Sequence, residues 1–337
     1  MHALVIGAAG MIGRKLVQRL CLHPRIGNRE LTLLTLADVV PVAIEPPPGL
    51  AIASEVADMA DPATAARLLA SRPDVIFHVA ATVMGQAESE IAAGYRINFD
   101  TVRMPAEAIS ALSHYHPRFV YASSTAVFSP PFPDVIPEDF PQKPSNSYGT
   151  QKAMSELLLS DYSRLGLIDA VGLRLPTIVI RPGKPTAGNS GFFSNILREP
   201  LAGRDAVLPV GEDVRHWFGS PRAAIGYLLH AAAMDTAALG ADRHLTMPGI
   251  SATVGEMLEA LVRAAGRDAL KHIRRAPDPA MIAMAATLPK HLDTSRALSC
   301  GFRADFLGPG PELDFNDIIR IHAEDDLNTA ASGQQRS

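Results

Sequence analysis

Apolar residues in this chain gather into short continuous runs, separated by longer stretches with a helical period. The strand-like runs are 2–7, 31–37, 50–53, 75–79, 118–122 and 170–175. The helical stretches between them are 12–22, 62–71, about 86–113 and 147–166. Val75-Ile76-Phe77-His78-Val79 is apolar on both strand faces, which fits a parallel sheet covered on both sides. Strand and helix in alternation predict a doubly wound, Rossmann-type α/β sheet that takes its ligand at the strand C-termini.

The pattern changes after residue 128. Pro130, Pro131, Pro133, Pro137, Pro141 and Pro144 exclude a regular helix or a central strand over 129–147. Residues 181–211 are rich in Gly, Pro, Ser and Asn, with a short helix near 192–197. Beyond them come helices at 222–236, 253–266 and 313–327 and short strands near 207–210 and 243–247. These features predict a cofactor domain of residues 1–180 plus about 212–236. A smaller C-terminal α/β substrate domain takes 181–211 and 237–327, and 328–337 forms a disordered tail.

Composition narrows the class. With 337 residues, 20% of them charged and 47% hydrophobic, the chain can bury a large core. The net charge of −4 and the absence of a Lys/Arg block argue against nucleic acid or an anionic membrane as partner. Cys21 and Cys300 form neither a disulfide framework nor a metal motif. A strand beginning at residue 2 or 3 leaves no room for a cleavable leader, and no apolar run is long enough to span a bilayer. The expectation is a soluble cytoplasmic protein.

The candidate chemistry starts with Gly7, Gly10 and Gly13 in VIGAAGMIG, between the first strand and the first helix. Glycines there permit a tight turn, let backbone N–H groups approach a pyrophosphate and let helix pack on strand. Met11 and Ile12, between the last two glycines, belong to the same site. Asp38 ends the second strand, where a carboxylate accepts ribose hydroxyls and repels a 2′-phosphate, so the expected cofactor is NAD rather than NADP. Asp58 is placed to reach the adenine amine or to cap the helix at 62. Val79, Ala80 and Ala81 close the fourth strand with small side chains suited to a flat cofactor, and Pro176 follows the 170–175 strand into the same site.

Tyr148 and Lys152 stand four apart and so face one side of a helix. A free phenol near pKa 10 is ionised in about one molecule in a thousand at neutral pH. A nearby ammonium and a positive nicotinamide favour the phenolate, which then takes a substrate's hydroxyl proton. Ser124 would donate a hydrogen bond to the same oxygen. His78 reads as a core histidine. No His, Asp or Glu group has metal spacing, so no metal is expected.

Gly7-x-x-Gly10-x-x-Gly13, HVAA at 78–81, YASSTAVF at 121–128 and the Tyr148/Lys152 pair together resemble the extended short-chain dehydrogenase/reductases over roughly residues 1–325. The resemblance implies that Ser124, Tyr148 and Lys152 form the catalytic triad and that Asn98 supports a proton relay at the cofactor. It also implies a homodimer through a four-helix bundle of helices 86–113 and 147–166. Epimerases of that family usually carry Asn where Thr177 stands. Its dehydratases place acids after the triad hydroxyl, where this chain has Thr125-Ala126. Segments such as SYGTQKA at 147–153 and RHWFGSPRAAI at 215–225 are similar to a branch that oxidises a four-carbon sugar acid with NAD. The expected substrate is therefore a small anionic sugar acid, contacted by Ser124, Thr125, Tyr148, Thr186, Ser190 and Arg215, with Arg215 on the carboxylate and Thr186, Ser190 and Arg222 the next candidates for it. The rival reading is a nucleotide-sugar epimerase that keeps its NAD.

Overall fold

The computed structural model describes residues 1–183, 190–304 and 314–327. Seven parallel strands make the main sheet: β1 (His2–Ile6), β2 (Leu33–Asp38), β3 (Ala51–Val56), β4 (Val75–His78), β5 (Arg118–Ser124), β6 (Asp169–Leu175) and β7 (His244–Thr246). Their spatial order is β7-β6-β5-β4-β1-β2-β3, the doubly wound order that reverses at β1. β1 pairs with β2 on one side, Ile6 opposite Ala37, and with β4 on the other, Ile6 opposite His78. The chain therefore leaves the sheet in opposite directions from β1 and β4, which opens a crevice over their C-terminal ends.

Both faces of the sheet are covered, as the continuous apolar strands require. The Met11–Leu22 and Pro221–Ala233 helices bury Leu16, Leu20, Ala224 and Leu228 on one face. Helices Pro62–Leu69, Thr101–Ser110 and Ser147–Arg164 bury Leu69, Val102, Ile109 and Leu159 on the other. A separate apolar cluster, including Phe193, Ile196, Leu258, Leu261 and Ile318, fills the C-terminal lobe. Residues 129–146 contain no regular helix or strand, only a single bridge of Ile136 to Leu292, and the next helix begins at Ser147.

The structure redraws three expectations. The 86–113 stretch is not one helix: it runs as Met84–Ser89, Ile91–Tyr95, a wider π turn over Arg96–Asp100, and Thr101–Ser110. Pro105 lacks the N–H that would bond back to the Thr101 carbonyl. The buried His78 ring donates to that carbonyl instead, with Nε2 at 2.9 Å. His244–Thr246, expected in the C-terminal lobe, is the edge strand of the main sheet, Leu245 opposite Leu173. Arg215–Gly219, expected with the cofactor domain, pairs with Ile250–Thr253 and with Thr177–Ile178 in a small sheet of the other lobe. Strands this short carry too little periodicity to reveal their partners. The C-terminal helix is Phe315–His322, continued by a π turn over Ala323–Leu327. The expected tail at 328–337 lies outside the described residues.

Candidate active site

Gly7 turns the chain with φ of +90° directly after β1. A Cβ there would stand 2.4 Å from the Ala80 backbone nitrogen, so the turns after β1 and β4 touch only because residue 7 is glycine. A Cβ at Gly13 would stand 2.0 Å from the Gly7 carbonyl oxygen. Gly10 starts the Met11–Leu22 helix with no side-chain cap, which leaves the first helical N–H groups to a ligand. Asp38 accepts the Ala9 amide at 2.8 Å and so faces this turn from the end of β2.

A cleft of about 400 Å³ opens beside the turn. Gly10, Met11, Ile12, Val79, Ala81, Ser124, Thr125, Tyr148, Lys152, Pro176 and Ser190 line it. Residues expected from distant parts of the sequence thus meet in one place. Ser124 ends β5, and its Oγ accepts the Ala126 amide at 3.1 Å. Tyr148 opens the Ser147–Arg164 helix, which Asn146 caps by accepting the Gly149 amide at 2.8 Å. A Cβ at Gly149 would stand 2.1 Å from the Ala126 carbonyl oxygen, so this glycine lets Tyr148 approach the turn after Ser124.

Lys152 is 1% exposed. Its ammonium donates to the Ala122 carbonyl at 2.8 Å and lies over the Tyr121 ring, 4.7 Å from the centroid. Burial pushes this ammonium down to about 7, against the pull of Glu156. Burial also raises the Tyr148 phenol, while its hydrogen bond with Ser124 and the charge of Arg181 pull it the other way. In the chain alone desolvation outweighs the groups that lower the phenol, the charge of Arg181 among them, and the Lys152 ammonium lies 5.7 Å from the centroid of the Tyr148 ring.

Other expected residues fall elsewhere. Arg215 is corrected: it is part-exposed, bonds the Ser251 carbonyl at 3.0 Å and pairs with Glu256 at 3.4 Å, away from the cleft. Arg222 pairs with Glu324 and Asp325 near the C-terminus. Asp58 neither lines the cleft nor caps the helix; it bonds Arg96 and the Ala60 amide, and Asp61 is the cap. Asn98 is buried and spent on structure, its Oδ1 accepting the Thr82 amide at 2.9 Å and its Nδ2 donating to Gln151 at 2.7 Å. Its carbonyl oxygen lies 3.3 Å from the Ser155 hydroxyl, whose nearer acceptor is the Gln151 carbonyl at 2.9 Å. Thr186 lies outside the described residues. His78 is a core residue, held down to about 3 by burial.

The family model of the NAD dependent epimerase/dehydratase family matches residues 3–234, the stretch that carries the glycine turn, Ser124, Tyr148 and Lys152. The chain belongs to this family. NAD comes with membership of the NAD dependent epimerase/dehydratase family, and the cradle fits it: the space a Cβ would fill at Gly7 and Gly13 is closed by backbone, and the helix start is uncapped. Among its relatives, D-erythronate dehydrogenase from Cupriavidus necator is 38% identical over 96% of this chain and 98% of its own length. The Haemophilus influenzae protein of the same name is 35% identical over 97% and 100%. The crystal structure of the nucleoside-diphosphate-sugar epimerase from Agrobacterium tumefaciens superposes with a TM-score of 0.92 at 49% identity, covering 97% of this chain and 95% of that one.

Three features in and around the cleft had no role assigned from the sequence. Arg181 lines the cleft and bonds the Ile178 carbonyl at 3.1 Å and Ser190 Oγ at 3.3 Å, with no carboxylate partner among the described residues. His216 and Thr177 also line the cleft, as a bonded pair. Near Ser124 and Lys152, Glu156 is 1% exposed; it accepts Ser123 and Gln142 and pairs with Arg174 at 2.9 Å. That network braces β5, β6 and the proline-rich segment around Ser124. A Glu four residues after Lys152, on the same helix face, was the signal available for it.

Proposed function

We propose that this protein oxidises a secondary alcohol of a small sugar acid with NAD, D-erythronate to its 2-oxo acid being the first candidate. Arg181 carries the reading. It is a partly buried guanidinium beside the Tyr148 phenol, its charge unmatched by any acid among the described residues. A substrate carboxylate supplies the missing partner and orients the adjacent hydroxyl toward Tyr148.

In this mechanism the start of the Met11–Leu22 helix holds the pyrophosphate, Asp38 the adenosine ribose, and Lys152 with Tyr148 the nicotinamide side. Bound NAD supplies the hydride acceptor. Tyr148 Oη removes the substrate hydroxyl proton, and Ser124 Oγ donates a hydrogen bond to the oxygen as it becomes a carbonyl. Arg181 favours the phenolate as well as the carboxylate, so one cation serves both binding and the base.

Residues 1–180 with most of 212–236 supply the cofactor half in this proposal, and 181–211 with 237–327 the substrate half, apart from the two strands exchanged above. A homodimer through the Ser147–Arg164 and 86–113 helices is proposed on the resemblance and on the exposure of Leu157 and Ile91. The two unpaired cysteines fit a cytoplasmic location.

The test follows NADH formation from D-erythronate and related sugar acids. Arg181→Ala should lower kcat/KM on the acid about thirtyfold or more, as loss of a charged partner costs roughly 2–5 kcal/mol, and should lower it less on the lactone, which loses only the assistance to the base. Arg215→Ala should leave it unchanged. The name borne by the Agrobacterium structure favours the epimerase alternative. No NADH from any sugar acid, with tight UDP binding, would decide for that alternative.

A further inference from the structure

The cleft contains a polar pair that the proton transfer does not use. His216 is 1% exposed, stacked on Phe193 at 5.3 Å between ring centroids and edge-on to Phe218 at 5.1 Å. Its Nδ1 lies 2.8 Å from the Pro289 carbonyl oxygen, and its Nε2 lies 2.6 Å from Thr177 Oγ1. A carbonyl oxygen only accepts, so Nδ1 carries a hydrogen. Burial among aromatic rings keeps the imidazole neutral, with its pKa pushed down to about 4. A neutral ring protonated at Nδ1 has a bare lone pair at Nε2. Thr177 therefore donates its single hydroxyl hydrogen to His216. Toward the cleft that Thr177 lines, its oxygen has only acceptor capacity left.

We propose that Thr177 is a specificity-determining residue that accepts a hydrogen bond from a substrate hydroxyl, its direction set by His216 and the Pro289 carbonyl. A carboxylate, phosphate or carbonyl oxygen placed there meets lone pairs and no hydrogen. A methylene leaves the threonine oxygen unpaired. A hydroxyl matches it. The inference rests on the sugar-acid reading of this cleft and narrows it: the enzyme reads a hydroxyl beyond the one it oxidises, so polyhydroxy acids are preferred over simple 2-hydroxy acids. It also separates this residue from Arg181, which handles the charged end of the same molecule.

The experiment pairs two substrates with three proteins. Wild type, Thr177→Val and Thr177→Ser are assayed with NAD on D-erythronate and on 2-hydroxybutanoate, which lacks the further hydroxyls. Wild type should prefer D-erythronate. Thr177→Val, which keeps the shape and removes the oxygen, should lower kcat/KM on D-erythronate about tenfold, the scale of one neutral hydrogen bond, and leave 2-hydroxybutanoate unchanged. Thr177→Ser should retain the preference. Activity on 2-hydroxybutanoate reports that each variant is folded. Equal loss on both substrates, or no loss on D-erythronate, overturns the hydroxyl-reading role while leaving the sugar-acid function standing. Wild-type protein that forms no NADH from either acid and binds UDP overturns both together.

Discussion

Asp38 accepts the Ala9 amide at 2.8 Å, which ties the carboxylate ending β2 to the glycine turn ending β1. The negative charge is thus held next to the place where the adenosine end of a dinucleotide would lie. NAD is expected to give a much higher kcat/KM than NADP, because a 2′-phosphate meets this carboxylate at close range. Asp38→Ala should narrow the gap, with most of the change in KM. Wild-type protein that uses NADP as well as NAD would remove this assignment.

Tyr148→Phe should cost about 10²–10⁴ in kcat while NADH affinity, measured by fluorescence titration, is largely preserved. The neighbouring cation gives a second readout. The charge of Arg181 lowers the phenol, against the larger effect of burial. Removing it raises the phenol, so the alkaline-rising limb of kcat in Arg181→Ala should move to higher pH. An unmoved limb would mean that Arg181 binds substrate without assisting the base.

Acid should weaken the fold early. Burial holds His78 down to about 3 and His216 to about 4, against 6.5 for a free imidazole. Below pH 6.5 the unfolded chain takes up protons that the folded chain refuses, so stability falls between about pH 6.5 and 4; above 6.5 both states keep neutral rings and the effect vanishes. Each ring contributes a slope of about 1.4 kcal/mol per pH unit in that window. Urea midpoints at pH 7, 6 and 5 measure it, and His216→Gln should shrink the slope by one proton. A flat profile would show that these rings are solvated.

What could be read before folding was whatever depends on residue type at close spacing. Gly7 and Gly13 announce themselves because backbone meets backbone there, and no other residue fits. Tyr148 and Lys152 share a helix face by spacing alone, and Ser124 ends an unmistakable strand. Arg215 misled for a reason of parity. It stands beside His216 on a five-residue strand, and only one of two neighbours can face the cleft. A one-residue choice of face is invisible without the partner strands. Arg181 lies in a segment whose composition reads as loop, and its lack of an acidic partner is a fact of three dimensions. The π turn before Thr101 was hidden because the flanking residues favour helix, although Pro105 marked the place.

The bond from His78 to the Thr101 carbonyl has a mechanical consequence. The hydrogen bond that Pro105 withholds from its own helix is supplied by the central sheet. At that turn the helix and β4 share one fastening, so neither can loosen alone. A fluctuation that unwinds the helix there must also draw the His78 ring from the layer it shares with Phe119 and Tyr121. The Asn98 turn and the Thr82 backbone at the rim of the cleft sit on the same seam, and the wall of the active site inherits the stiffness of the sheet.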